Sequence, residues 1–281
     1  LKESYFYYHL INTLVKFINP SQYQGQPKRL HWLKHFKNSA PAPFIQYLVA
    51  SPFSSLYYKA MIPIKDDNPT KSFPFFTIII ITLNIFIFIY QVSLGTGTNR
   101  FILQMALIPY EIIHFTKIHS LSSFPPFTTF FTSIFTHANL LHLGGNMLYL
   151  WIFGNNIEDA LGHFRFLAFY FTCGIIATVC HIAIAPNSTV PLIGASGAIA
   201  GILGAYLLLY PKAGVHTLIF IVFFIKIIRL PAIFVLSLWF IIQLINSTGP
   251  GGGVAWFAHI GGFVAGFILI KPFINKSGAK S

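Results

Sequence analysis

Residues 194–210 read GASGAIAGILGAYLLLY, and the length of this stretch decides the fold. Its apolar part, Gly197–Tyr210, has only fourteen residues. As a helix it would measure about 21 Å, against a hydrocarbon core of about 30 Å. A helix this short can complete a crossing only if irregular backbone, buried inside protein, makes up the missing end. Residues Pro186–Ala195 suit that task, with Pro186, Pro191 and Gly194 breaking any regular element. The shortfall places Ser196, at the head of the helix, about 9 Å below the outer surface. Ser196, Ala200 and Gly204 form one i, i+4 stripe, and Gly197 and Gly201 a second small pair beside it. Small residues at this spacing let helix backbones approach closely in lipid.

Five more apolar runs lie outward from this one: Phe73–Val92, Leu140–Asn155, Phe166–Ala185, Pro231–Asn246 and Val254–Ile270. Together they predict an all-α membrane protein with six transmembrane helices. Composition agrees, with 55% hydrophobic and 9% charged residues in 281, where a soluble domain carries about 25% charged. Mean hydropathy is +0.68. The run Val215–Ile228 is too short to span and is closed by Lys226, Arg229 and Pro231, so it is expected to be interfacial or re-entrant.

The net charge of +12 does not indicate nucleic-acid binding, because the cations flank apolar runs instead of covering one surface. They read as topology signals and contacts for anionic lipid in the bilayer. With six crossings, sixteen Lys and Arg fall on the side of both termini and two, Arg100 and Lys117, on the other. Both termini are therefore expected to be cytoplasmic. Residues 1–60 form a basic N-terminal extension whose only acid is Glu3 and which has no spanning run. Met61-Ile-Pro-Ile-Lys65 reads like a natural start, and an acid-poor transit peptide is the alternative for what precedes it. No cleavable secretory signal is read, so the first apolar run would be an uncleaved anchor. The membrane domain is expected over 61–272, with a cytoplasmic tail at 273–281.

The six acids, Glu3, Asp66, Asp67, Glu111, Glu158 and Asp159, all lie outside the spanning runs. That excludes a paired-aspartate protease and most carboxylate proton relays in the membrane. No His-Glu-x-x-His occurs, and Gly249–Gly253 lacks the lysine of a phosphate loop. No metal or cofactor is expected, and Gly249–Gly253 is read as an outer loop. Cys173 and Cys180, seven apart in one helix, lie about 10 Å apart along the axis, too far for a disulfide. They read as small packing residues.

A small polar set remains inside the apolar runs. His259 lies five residues into the sixth helix, about 7–8 Å down. His142 and Asn146 share one face in the upper half of the second. Ser196 is at the same level, so all four converge. His259, Gly262 and Gly266 share a face, which brings the serine hydroxyl toward the imidazole. Read singly, Ser196 is a helix cap, His259 an interhelical hydrogen-bonding group and Asn146 interhelical glue. Read together at matched depth, they are a nucleophile and base, Ser196 and His259, without a carboxylate. Backbone N–H groups at the start of the fourth helix, with His142 and Asn146, would serve the oxyanion. His137 is expected to brace the first loop, while His163, His181 and His216 have no comparable support.

The chain resembles the rhomboid family. Gly194-Ala195-Ser196-Gly197 is similar to its GxSG nucleophile motif. His137 through His142 to Asn146 is similar to its second helix, and Ala258-His259-Ile260-Gly261-Gly262 with Gly266 to its last-helix motif. Gly154-Asn-Asn-Ile-Glu158, followed by Gly162, resembles the turn after the second helix. The likeness covers roughly 61–272. It implies the six-helix rhomboid fold, Ser196 as nucleophile, His259 as base, and His142, Asn146 and the Ser196 amide around the oxyanion. It also implies a serine endopeptidase acting on transmembrane protein substrates near the outer leaflet, with small residues at the cleavage site. Two features depart from the pattern. Thr128 and Thr129 stand where many members carry Trp-Arg, and Ala200 where many carry an aromatic that packs on the histidine. The rival readings are a catalytically silent relative that binds membrane helices, and a channel or small-solute transporter. A bacterial inner membrane is the expected location, with a mitochondrial one as the alternative.

Overall fold

The computed structural model describes residues 61–118, 125–221, 224–248 and 255–274. The 1–60 extension, the Gly249–Gly253 loop and residues 275–281 lie outside the described residues. Strand β1 (Met61–Asp66) opens the described chain and α1 (Phe75–Ser93) follows it. Three shorter helices, α2 (Thr98–Met105), α3 (Pro109–His114) and α4 (Thr129–Thr132), occupy the long first connection. Helix α5 (Leu140–Tyr149) runs through a π-helical stretch, Leu150–Gly154, into α6 (Asn155–Leu161). Then come α7 (His163–Ile184), α8 (Ser196–Leu209), β2 (Gly214–Ile221), β3 (Phe224–Pro231), α9 (Ala232–Ser247) and α10 (Trp256–Phe273).

Helices α1, α7 and α10 are long and apolar enough to cross a membrane; α8 and α9 are shorter apolar helices. The run expected to end at Asn155 instead continues as helix to Leu161, where Gly162, at φ +76°, turns the chain. An added Cβ on Gly154, which ends the π stretch, would crowd Leu150 and touch the Thr77 side chain of α1. The helix is therefore closely packed on α1 at that point.

Glycines set how closely α8, α7 and α10 pack. A Cβ on Gly262 would run into the Gly197 carbonyl, one on Gly266 into the Gly201 carbonyl, and one on Gly204 into the Phe263 carbonyl. Backbone thus touches backbone along the α8–α10 seam, as the small-residue spacing on both helices anticipated. Helix α7 closes the third side: Ala177 lies against Gly197, Cys173 against Gly201 and Cys180 against Gly261. Both cysteines are free and act as small packing groups.

The segment expected to be interfacial or re-entrant, Val215–Ile228, supplies most of two antiparallel strands, β2 and β3. Strand β2 is central, flanked by β3 and by β1, with Met61 opposite Ile219 and Gly214 opposite Pro231. Asp67, just after β1, pairs with Arg229 and with His216, and these two hold its carboxyl below the usual range.

The sheet and the acids stitch one end of the bundle. The Tyr206 hydroxyl and the Asn156 amide both donate to Asp66, at 2.6 and 2.9 Å. Backbone N–H groups of Lys71 and Ser72 donate to Asp159. Glu158 is fully buried and caps α1 from a distance, accepting from the Phe76 and Thr77 N–H groups at 2.8 Å and from the Thr77 hydroxyl at 2.7 Å. A buried carboxylate on orphan helix N–H donors is both hydrogen-bonded and favoured by the helix dipole. Glu158→Ala is therefore expected to destabilise the fold by about 2–4 kcal/mol, read as a lower thermal midpoint in detergent. Tyr206 lies ten residues beyond Ser196 on α8, so this end is about 15 Å from the serine along the helix.

Candidate active site

Ser196 opens α8 after Gly194, which sits at φ +111°, a backbone conformation that side chains disfavour. The Gly194 N–H donates to the Ser133 carbonyl at 2.8 Å, and Leu192 pairs with Leu107 in both directions. These bonds complete the short α8 with irregular backbone held by the first connection, as its length required. They also answer for Thr128 and Thr129. The first connection is braced by backbone pairing to the α7–α8 segment and by the Thr132 hydroxyl, which donates to the Met105 carbonyl at 2.7 Å.

Across the α8–α10 seam, the Ser196 hydroxyl is 2.8 Å from Nε2 of His259. His259 is buried at 8% exposure and Ser196 is half-buried. A cavity of about 20 Å³ opens beside Ser196 between Gly174, Ala177, Thr178, Gly197 and Ala258, room for about one water.

His142 and Asn146 lie against Gly194, two residues before the serine. A side chain at Gly194 would strike the His142 ring at Nε2 and Cε1 and would touch Nδ2 of Asn146. Asn146 is buried and its Nδ2 has no hydrogen-bond partner. The Asn139 side chain caps α5 on the His142 N–H at 2.8 Å, which fixes where that turn begins. Nδ1 of His142 accepts from the Ala138 N–H at 3.4 Å, leaving Nε2 as the donor that faces Gly194. The His137 ring lies edge-on to His142 with centroids 5.0 Å apart. Its backbone carbonyl accepts from Gln91 of α1 at 2.7 Å, so His137 sits in the bracing of the first connection. Of the other described histidines, His114 bonds Asn187, His163 bonds Glu158 and His216 bonds Asp67, while His181 of α7 has a buried Nδ1 without a partner.

Ala200 leaves open what holds the imidazole, and α9 answers. Nδ1 of His259 is 2.9 Å from Oε1 of Gln243, whose side chain is fully buried. The ring is flanked by Trp239, tilted at 5.9 Å, and by Trp256, edge-on at 6.1 Å. Sequence reasoning passed over Gln243 as a single polar residue in an apolar run. Depth would have found it: Gln243 lies four residues before Ser247, at the end of α9 that leads into His259's helix.

The Rhomboid domain profile matches residues 126–276, more than half of the chain. Rhomboid protease GluP of Bacillus subtilis is 31% identical over 209 residues, covering 73% of this chain and 36% of GluP. Rhomboid-like protein 11, chloroplastic, of Arabidopsis thaliana is 33% identical over 99 residues, covering 33% of this chain and 35% of that protein. Rhomboid protein 1, mitochondrial, of Saccharomyces cerevisiae is 36% identical over 92 residues, covering 31% of this chain and 27% of that protein. The chain spans about a third or less of the length of these relatives. The matched region runs from the first connection through α10, taking in Ser196, His259, His142 and Asn146, and on that match this integral membrane protein belongs to the rhomboid family.

Proposed function

We propose that the chain is a serine endopeptidase that cleaves transmembrane helices of membrane-protein substrates near the outer leaflet, in a membrane where both its termini are cytoplasmic. The observation that carries this reading is the 2.8 Å contact between the Ser196 hydroxyl and Nε2 of His259. Neutral His259 takes the proton as the Ser196 oxygen attacks the scissile carbonyl, forming the tetrahedral intermediate. It then returns the proton to the leaving amine, which frees the acyl-enzyme for attack by water. Nδ2 of Asn146 is a buried donor without a partner, so an oxyanion between Asn146, Nε2 of His142 and the Ser196 amide meets donors already desolvated. The small cavity beside Ser196 suits a small side chain at the cleaved residue, and the GluP relative is named a protease.

The test is purified protein reconstituted with a transmembrane substrate. Cleavage by the wild type and none by Ser196→Ala supports the enzyme; an inert wild type that still binds the substrate helix supports the silent relative. Solute flux that survives Ser196→Ala would point to a transporter. Within the active enzyme, Asn146→Ala is expected to lower kcat by about 10²–10³-fold with KM nearly unchanged, since an oxyanion donor acts in the transition state. Steady-state kinetics on one substrate read that split.

A further inference from the structure

We propose that Gln243 is the positioning residue of the Ser196–His259 pair, its amide oxygen selecting the one imidazole tautomer that can act as a base. The proposal rests on the reading of His259 as general base. A neutral imidazole carries its proton on either ring nitrogen. Only the form with the proton on Nδ1 leaves Nε2 a lone pair for the serine proton. In the other form Nε2–H points at the hydroxyl and cannot accept from it.

The surroundings choose between the two. Gln243 offers either its oxygen or its NH₂ to Nδ1, and the backbone decides which. Nε2 of Gln243 is 3.0 Å from the Trp239 carbonyl, an acceptor that requires a donor. The amide oxygen must therefore face His259, at 2.9 Å from Nδ1. An oxygen there requires a proton on Nδ1. The chain of requirements runs from one helix carbonyl, through the amide and the ring, to a free lone pair on Nε2 beside Ser196.

The scaffold keeps this arrangement fixed. Trp239 and Gln243 are four apart and share a face of α9, so the helix that supplies the carbonyl also supplies a ring 5.9 Å from the imidazole. Phe263 of α10 stacks on Phe240 at 4.5 Å and on Trp239 at 6.0 Å, locking α9 to the helix that carries His259. A carboxylate in this place would put a charge in a fully buried site within the membrane domain, which is costly. An amide orients the ring without that cost, in a site where no acid among the described residues touches the pair.

Two measurements test this. The first is made on the wild-type protein: ¹⁵N-histidine NMR, with the His259 signals assigned by their loss in His259→Ala. The expected result at neutral pH is a protonated Nδ1 and a bare Nε2; a protonated Nε2 overturns the proposal. The second compares Gln243→Met with Gln243→Glu in proteoliposomes. Methionine keeps the length and removes the amide, so kcat is expected to fall about 10²-fold at unchanged KM. Glutamate is expected to stay within about 10-fold of wild type. Ionised, it accepts from Nδ1–H; protonated, its carbonyl accepts while its hydroxyl donates to Trp239. Wild-type kcat in the methionine variant, or equal losses in two variants of wild-type thermal stability, would overturn the proposal. An inert wild type would sink the protease reading instead, and the NMR measurement would still report on Gln243.

Discussion

Replacing His259 with alanine is expected to lower turnover by about 10⁴–10⁶-fold while substrate binding persists. The effect is large because, among the described residues, no other base is bonded to the Ser196 hydroxyl. Among the described residues the spanning helices carry no carboxylate in contact with His259, and its ring contacts are Ser196, Gln243, Trp239 and Trp256. His142 of α5 and His181 of α7 are the titratable groups whose charge reaches it. The same dependence gives a pH signature. His259 must be neutral to accept the serine proton, so kcat/KM falls as pH drops and the imidazole protonates. A rate that stays level between about pH 8 and 5 would contradict a histidine base.

The second large effect is on stability. Gly266→Val places branched carbons where the Gly201 carbonyl already lies, and backbone cannot move aside as a flexible side-chain tip can. A loss of about 3 kcal/mol or more is expected, above the usual cost of overpacking. Activity should fall further than stability, because the same displacement separates α10 from α8 and widens the gap between His259 and Ser196. Gly144 and Gly145 are the matched controls: an added Cβ meets nothing there, and both lie exposed on α5. Valine at either position is expected to leave the thermal midpoint and the cleavage rate near wild type. Equal losses at Gly144 and Gly266 would mean that the α8–α10 seam is not what holds the site together.

The parts of this architecture that were legible in the sequence are those written in length and spacing. The fourteen-residue run at Gly197–Tyr210 appears as α8 from Ser196 to Leu209, completed by irregular backbone as its shortfall demanded. The glycine spacing on α8 and α10 appears as facing backbone contacts. Depth along each helix put Ser196, His259, His142 and Asn146 at one level; Ser196 meets His259, and His142 and Asn146 lie against Gly194, two residues before the serine. What escaped depends on partners far away in sequence. Val215–Ile228 is apolar on nearly every residue, so no alternation marks it as strand, and its edge partner Met61–Asp66 lies some 150 residues earlier. The continuation of the second apolar run past Asn155 was hidden by its polar end, whose Glu158 is buried only because it caps α1. Gln243 carries no motif, and its importance comes from two neighbours, Trp239 on its own helix and His259 on the next.

An imidazole from α10 that activates a hydroxyl from α8 should make that hydroxyl reactive toward a fluorophosphonate probe applied to the purified protein, with the modified residue located by mass spectrometry. A single adduct on Ser196 is expected, lost in Ser196→Ala and formed at least about 10²-fold more slowly in folded His259→Ala. An adduct on another residue, or labelling of Ser196 at the wild-type rate without His259, would contradict that activation.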